Sequence, residues 1–215
     1  IGGVGSWVVE ALARSGIGEL TLIDMDDICV TNINRQLPAM SGTIGKLKTE
    51  VMSERVKLIN PECTVNIIDD FISPENQSDY LNRGYDYVID AIDNVQTKAS
   101  LIAYCKRIKI NVITIGGAGG QTDPTQIQIA DLSKTIQDPL LAKVRSVLRK
   151  DYNFSQNPKR KFSIDAVFST QPLIFPQMTE DCSISATMNC ANGFGAATMI
   201  TATFGFFAVS RVIDK

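Results

Sequence analysis

Short apolar runs alternate with stretches of helical periodicity through the first half of the chain, and this alternation leaves few folds open. The runs are Glu19–Asp24, Thr64–Ile68, Tyr85–Ala91 and Asn111–Ile115. Each is too short for a stable helix and rich in Val, Ile or Leu, as a strand buried on both faces of a sheet must be. Between them, Ser6–Ser15 sets Val8, Val9, Leu12 and Ala13 at helical spacing before Gly16. Gly45–Asn60 does the same with Leu47, Val51, Met52, Val56 and Ile59 before Pro61, and helical spacing resumes over Thr97–Ile108. Parallel strands need crossovers of a dozen or more residues, and these helices supply them. The pattern predicts an α/β fold with a Rossmann-like, doubly wound, mostly parallel sheet.

After Gly120 the rhythm changes. Thr125–Ile129 alternates apolar and polar residues, which predicts a half-exposed antiparallel strand. Asp138-Pro139 opens a helix that runs to Lys150 and carries Lys143, Arg145, Arg149 and Lys150; Val167–Thr170 and Leu173–Phe175 read as short strands. Residues 1–131 are therefore expected to form a nucleotide-binding core. Residues 132–215 are expected to add an antiparallel C-terminal extension to the same structural domain, with a basic helix, a cysteine-bearing loop and an apolar final helix. Phe194–Ile213 is long enough on length alone to cross a bilayer. Its many Ala, Thr and Gly residues suit tight packing against protein, so it reads as a buried or interface helix and membrane contact is not expected.

What the chain lacks narrows its chemistry. It has no histidine, which removes Ser-His-Asp and Cys-His catalysis and histidine-ligated zinc. Its five cysteines, Cys29, Cys63, Cys105, Cys182 and Cys190, are scattered, with no CxxC pair. Neither a disulfide framework nor a four-cysteine zinc site fits, and a reducing cytoplasm does. The net formal charge of −2 gives no global attraction to nucleic acid, although the basic helix and Lys159-Arg160-Lys161 form local patches.

The remaining candidates gather around a nucleotide. Gly2-Gly3-Val4-Gly5 precedes the first helix, where glycines let backbone amides approach a phosphate. Asp24 closes the next strand, placed to accept from ribose hydroxyls. Taken alone, the pair suits a dinucleotide, a triphosphate or a tight turn with no ligand. Arg35, Lys48 and Asp93 favour ATP, since a triphosphate being cleaved needs cations on its oxygens and a carboxylate for magnesium. The chain opens inside the glycine loop, so a preceding segment is expected.

Five motifs in order, Gly-Gly-Val-Gly, Leu-Ile-Asp-Met-Asp, Asn-Ile-Asn-Arg-Gln, Gly-Lys-Leu-Lys and Asp-Ala-Ile-Asp-Asn, resemble the ATP site of the E1-like adenylating enzymes. That superfamily includes the ubiquitin-activating, MoeB and ThiF enzymes. Residues 116–139, Val167–Thr170 and Asn189–Gly195 resemble, more narrowly, its tRNA threonylcarbamoyladenosine dehydratase branch. The resemblance implies that Gly3, Asp24, Thr31, Asn32, Arg35, Lys48, Asp93 and Asn94 hold ATP and that Asp93 carries Mg2+. It implies a catalytic set of Arg35, Lys48, Asp93 and Cys190, the last as the family's active-site cysteine. The reaction it implies is ATP-dependent cyclisation of N6-threonylcarbamoyladenosine at position 37 of ANN-decoding tRNA. Other implied partners are a second copy of the chain and a cysteine desulfurase–sulfur-acceptor system. The alternative reading is adenylation of the C-terminus of a sulfur-carrier protein, which would use the same ATP site.

Overall fold

The computed structural model describes residues 1–175 and 195–214. In chain order the elements are α1 (Gly5–Arg14), β1 (Glu19–Ile23), α2 (Lys48–Ile59), β2 (Thr64–Ile68), α3 (Gln77–Leu81), β3 (Tyr87–Asp90), α4 (Val95–Ile108), β4 (Asn111–Ile115), β5 (Ile127–Asp131), α5 (Pro139–Asp151), β6 (Asp165–Ser169) and α6 (Thr198–Ile213). Short 3-10 turns lie at Val30–Asn32, Pro124–Gln126 and Leu132–Lys134.

The strands hydrogen-bond in two groups. β1 and β2 pair in parallel, from Glu19 opposite Thr64 to Ile23 opposite Ile68. The other sheet has the order β3-β4-β6-β5. Within it β3, β4 and β6 are parallel, and β5 runs antiparallel to β6, from Ile127 opposite Ser169 to Asp131 opposite Asp165. Successive strand residues face opposite sides, so each strand of the four-stranded sheet feeds two cores. Ile113 and Ile115 of β4 and Val167 of β6 pack with Val8 and Leu12 of α1 and Phe204 and Ala208 of α6. Val112, Ala166 and Phe168 turn the other way, onto Ile102 of α4 and Leu141 and Leu148 of α5. Helices thus cover both faces. Full burial of side chains such as Phe204 and Ile102 contributes about 1.5–3 kcal/mol each.

Element ends depart from the periodicity for local reasons. α4 begins at Val95, two residues before the expected Thr97, because the Asn94 side chain accepts from the amides of Gln96 and Thr97. α2 begins at Lys48, after Gly45 adopts φ 83° and Leu47 bridges to Asp27. Leu173–Phe175 is not a strand; the Ile174 amide makes a single bond to the Gly120 carbonyl (2.8 Å). α3 and the 3-10 turns are too short for periodicity to reveal. α6 is 16 residues long, and among the described residues no helix is long and apolar enough to cross a membrane. It crosses α1 closely: a Cβ on Gly205 would lie 3.0 Å from Trp7 Cβ and 3.1 Å from the Val8 amide. Cys182, Cys190 and the stretch expected to be irregular around them lie outside the described residues.

Candidate active site

The glycine loop leads directly into α1, whose first turn has no side-chain cap. The Ser6 and Trp7 amides donate to the Gly2 and Val4 carbonyls (3.1 Å each), so the amides of the glycine loop up to Gly5 are the groups offered to an anion. Gly3 is there for space. A Cβ on it would stand 3.2 Å from Arg35 Cγ, 3.3 Å from Arg35 Cδ and 3.3 Å from Thr201 Cγ2. The stem of Arg35 therefore lies against the loop. The Arg35 carbonyl accepts from Trp7 Nε1 (3.1 Å) and Thr201 Oγ1 (3.3 Å), which fastens its backbone to α1 and α6. Its Nη1 donates to the Thr31 carbonyl (2.8 Å) and Asn34 Oδ1 (2.9 Å), and its Nε and Nη2 hydrogens have no acceptor among the described residues. Beside it, a cavity of about 450 Å³ is lined by Thr31, Asn34, Arg35 and Ala196.

Asp24 follows β1, and its Oδ1 accepts from the Asp26 amide (2.9 Å). Burial opposes the charge on the Asp24 carboxyl, and the Asp26 amide and Lys48 favour it. Lys48 is 5% exposed, with Nζ 2.6 Å from Asp26 Oδ2 and 4.0 Å from Asp24 Oδ1. Backbone bonds from Lys48 to Asp26 (3.1 Å) and from Ile28 to Lys46 (2.9 Å) fix this arrangement. Asn32 is turned inward. It is buried, its Oδ1 accepts from the Cys29 amide (3.0 Å), and it closes the 3-10 turn that positions Thr31 and Arg35.

The third part of the site rests on a buried ion pair. Asp90 ends β3, and its carboxylate accepts from Lys98 Nζ (2.9 Å), Thr114 Oγ1 (2.7 Å) and the Ile92 amide (3.1 Å). Both charged side chains of the pair are fully buried. The Lys98 ammonium also donates to the carbonyls of Ile92 (2.7 Å) and Asp90 (3.3 Å). These bonds clamp both ends of the turn that exposes Asp93, which has no hydrogen bond or ion pair among the described residues. Asn94 is committed to capping α4. A Cβ on Gly5 would sit 3.7 Å from Ala91 Cβ, so this turn adjoins the glycine loop. Asp138 lies behind, accepting from the Leu141 (2.8 Å) and Gly117 (3.0 Å) amides. Burial pushes its carboxyl up, against the pull of those amides and of Lys98.

Contacts thus join Gly3 to Arg35, Lys48 to Asp24, and the Asp93 turn to the loop at Gly5. Sequence reasoning missed Lys98 and Thr114, and it quoted Asp26 and Asp90 within motifs without giving them a role. One signal existed: Lys98 shares a helical stripe with Ile102 and Cys105, where a lysine needs a buried partner. Cys105 is no nucleophile, because burial, with Asp90 nearby, pushes its thiol up to about 12. Cys63 is also raised by burial.

Comparison with known proteins matches this geometry to a family. The model of the ThiF family matches residues 1–210. The chain is 98% identical over 215 residues to a tRNA threonylcarbamoyladenosine dehydratase of Haemophilus influenzae, covering all of this chain and 82% of that one. It is 59% identical over 222 residues to the enzyme of that name from Escherichia coli K12, covering 100% of this chain and 83% of the relative. The crystal structure of the E. coli tRNA N6-threonylcarbamoyladenosine dehydratase in complex with ATP superposes with a TM-score of 0.90 at 57% identity, covering 100% of this chain and 82% of that chain. A complex of the same enzyme with AMP matches equally well. The doubly wound α/β chain with its glycine-loop site belongs to the ThiF family, within the E1-like superfamily.

Proposed function

We propose that this protein is an ATP-dependent tRNA threonylcarbamoyladenosine dehydratase, which closes the threonylcarbamoyl side chain of adenosine 37 into a ring with net loss of one water. The observation that carries this reading is the extent of the likeness. It runs through the whole chain for the Haemophilus influenzae and Escherichia coli dehydratases, whereas a Salmonella typhimurium molybdopterin-synthase adenylyltransferase is 31% identical over 53% of the chain. Sulfur-carrier activation is therefore the weaker reading.

The residues suit the chemistry. A carboxylate is a poor acyl donor until one of its oxygens carries a phosphoryl or adenylyl group. In the proposed reaction that oxygen attacks a phosphorus of ATP and breaks its bond to the leaving oxygen, releasing ADP where a phosphoryl group is transferred or pyrophosphate where an adenylyl group is. A nitrogen of the same side chain then attacks the acyl carbon and expels the phosphate-bearing oxygen. Attack within one side chain gains the high effective concentration of an intramolecular reaction. The amides at the start of α1, beside Gly3, receive phosphate, and Asp24 accepts from ribose. The free donors of Arg35 and the ammonium of Lys48 stabilise charge on the departing oxygens. Thr31, Asn32 and Asn94 keep the surrounding turns in place through their own hydrogen bonds.

Asp93 fits a magnesium ligand. Its carboxylate is exposed and uncommitted, and no cluster of three metal-ligating side chains exists among the described residues. A magnesium ion held by Asp93 and substrate phosphates would need no such cluster and would supply positive charge against the triphosphate. Cys190 is proposed as an active-site cysteine by its motif. The exposed Met199, Phe206 and Ile213 of α6 support a homodimer through that helix. The placement of β6 between β4 and β5 supports treating residues 1–131 and 132–215 as one domain. Free, buried Cys63 and Cys105 suit a reducing cytoplasm.

The test is direct. Protein, magnesium-ATP and tRNA bearing the linear modification are incubated, and the nucleosides are analysed by mass spectrometry. Loss of one water is expected. An unchanged nucleoside, together with adenylation of a sulfur-carrier C-terminus, would transfer the assignment to the alternative.

A further inference from the structure

A cleft of about 670 Å³ lies at the edge of the four-stranded sheet opposite the proposed ATP site. It is lined where β3, β4 and β6 begin, at Tyr87, Asn111 and Asp165, and where the antiparallel β5 ends, at Asp131. Asp90 ends β3, about 10 Å along the strand from Tyr87, so the proposed ATP site lies at the opposite edge.

Its charges are unevenly committed. Both acids are satisfied: Asp131 accepts from the Ser133, Phe162 and Ser163 amides (2.9, 2.9 and 2.7 Å), and Asp165 pairs with Arg211 (2.8 Å). Lys106 is spent on the Phe162 carbonyl. Lys109 and Lys161 line the same cleft, are exposed, and have no side-chain partner among the described residues. Lys109 caps α4 in the left-handed region at φ 62°, a position where glycine avoids the backbone cost that lysine bears. The exposed Lys159 and Arg160 continue the positive strip, and their turn is held by the Lys134 ammonium on the Pro158 carbonyl. Positioned cations extending beyond one cleft match a chain of phosphates better than a single small anion.

We infer that this cleft docks the phosphate backbone of an RNA stem through Lys109 and Lys161 while the modified nucleotide occupies the ATP edge. The inference rests on the tRNA-dehydratase reading. Phosphate contacts position an RNA without reading its sequence, so the cleft serves register and affinity. A stem easily spans both edges, since one duplex-RNA-binding domain covers about 16 base pairs.

The test compares the wild-type protein with Lys109→Glu, Lys161→Glu and the double variant, for binding of tRNA with and without the linear modification across a salt series. Both sites are exposed, and unchanged melting and ATP binding check the fold. The double variant is expected to bind about tenfold more weakly at about 0.1 M salt, equally for both tRNAs, with the slope of log K against log salt reduced by about two. Turnover at saturating tRNA should persist. In acetylation footprinting, tRNA should protect both lysines and inorganic phosphate or AMP should not. Wild-type affinity and slope in the double variant overturn the inference while leaving the dehydratase reading intact. Protection by millimolar phosphate without protection by tRNA overturns it in favour of a small-anion site. A wild-type protein that binds no tRNA sinks both readings.

Discussion

Lys98→Met isolates the ion pair beneath the Asp93 turn. The substitution keeps most of the side-chain volume but removes an ammonium that is fully buried, 2.9 Å from the Asp90 carboxylate, and bonded to the carbonyls of Ile92 and Asp90. Asp90 keeps the Thr114 hydroxyl and the Ile92 amide, which cannot neutralise a buried charge. Breaking such a pair from one side costs about 3–5 kcal/mol, since the desolvated partner is left uncompensated. For a chain of this size each kcal/mol lowers the melting temperature by about 2–4 °C, so a fall of about 6–20 °C is expected. Asp90→Asn combined with Lys98→Met removes the orphaned charge and should be more stable than Lys98→Met alone, with a coupling of about 0.5–3 kcal/mol. Melting followed by circular dichroism measures both. Because the lost bonds hold the turn that presents Asp93, ATP affinity should fall in the single variant even well below its melting temperature. A Lys98→Met protein within about 1 kcal/mol of wild type, or a double variant no better than the single one, would refute the clamp.

Other substitutions probe the remaining parts. Arg35→Ala removes a guanidinium whose stem packs against Gly3 and should abolish dehydration in the nucleoside assay while the fold persists, since the groups anchoring residue 35 to Trp7 and Thr201 belong to its backbone. Gly205→Ala pushes a methyl to 3.1 Å from the Val8 amide and 3.2 Å from the Val4 carbonyl; backbone cannot yield cheaply, so a net loss of about 1–3 kcal/mol is expected, with weaker ATP binding because α1 carries the glycine loop. Glu10 gives a pH signature. Burial alone would raise its carboxyl, but Arg55 (2.6 and 3.0 Å) and Arg14 (2.8 Å) hold it below the ordinary glutamate value. As pH falls the unfolded chain takes up that proton first, so the stabilisation exists above the unfolded glutamate value and disappears as pH drops through the folded one. Glu10→Gln should flatten the acid limb of the stability curve measured by urea denaturation. Cys190→Ala should stop turnover without changing the melting temperature if the thiol acts chemically; lowered stability with turnover retained would mark a packing role.

Local patterns reached far in this chain. Thr64–Ile68 and Asn111–Ile115 are strands from end to end as their apolar runs predict, although only β4 is buried along most of its length, and β2 leaves Thr64 and Ile67 exposed. The helices follow their stripes to within a few residues, and the glycine loop, Asp24, Arg35, Lys48 and Asp93 stood out because phosphate chemistry demands those residue types at strand ends and helix starts. Partner choice did not show. Nothing local to Asp165–Ser169 says that β6 inserts between β4 and β5, since any strand edge offers the same backbone donors and acceptors. Lys98 and Lys109 are alike as letters, yet folding seals one onto Asp90 and leaves the other open in a cleft. Periodicity is written within a few turns of chain, and so the sequence determines the elements. The environment of a charge depends on groups distant along the chain and near in space, so only the tertiary structure decides which cation is a clamp and which is free to meet a phosphate.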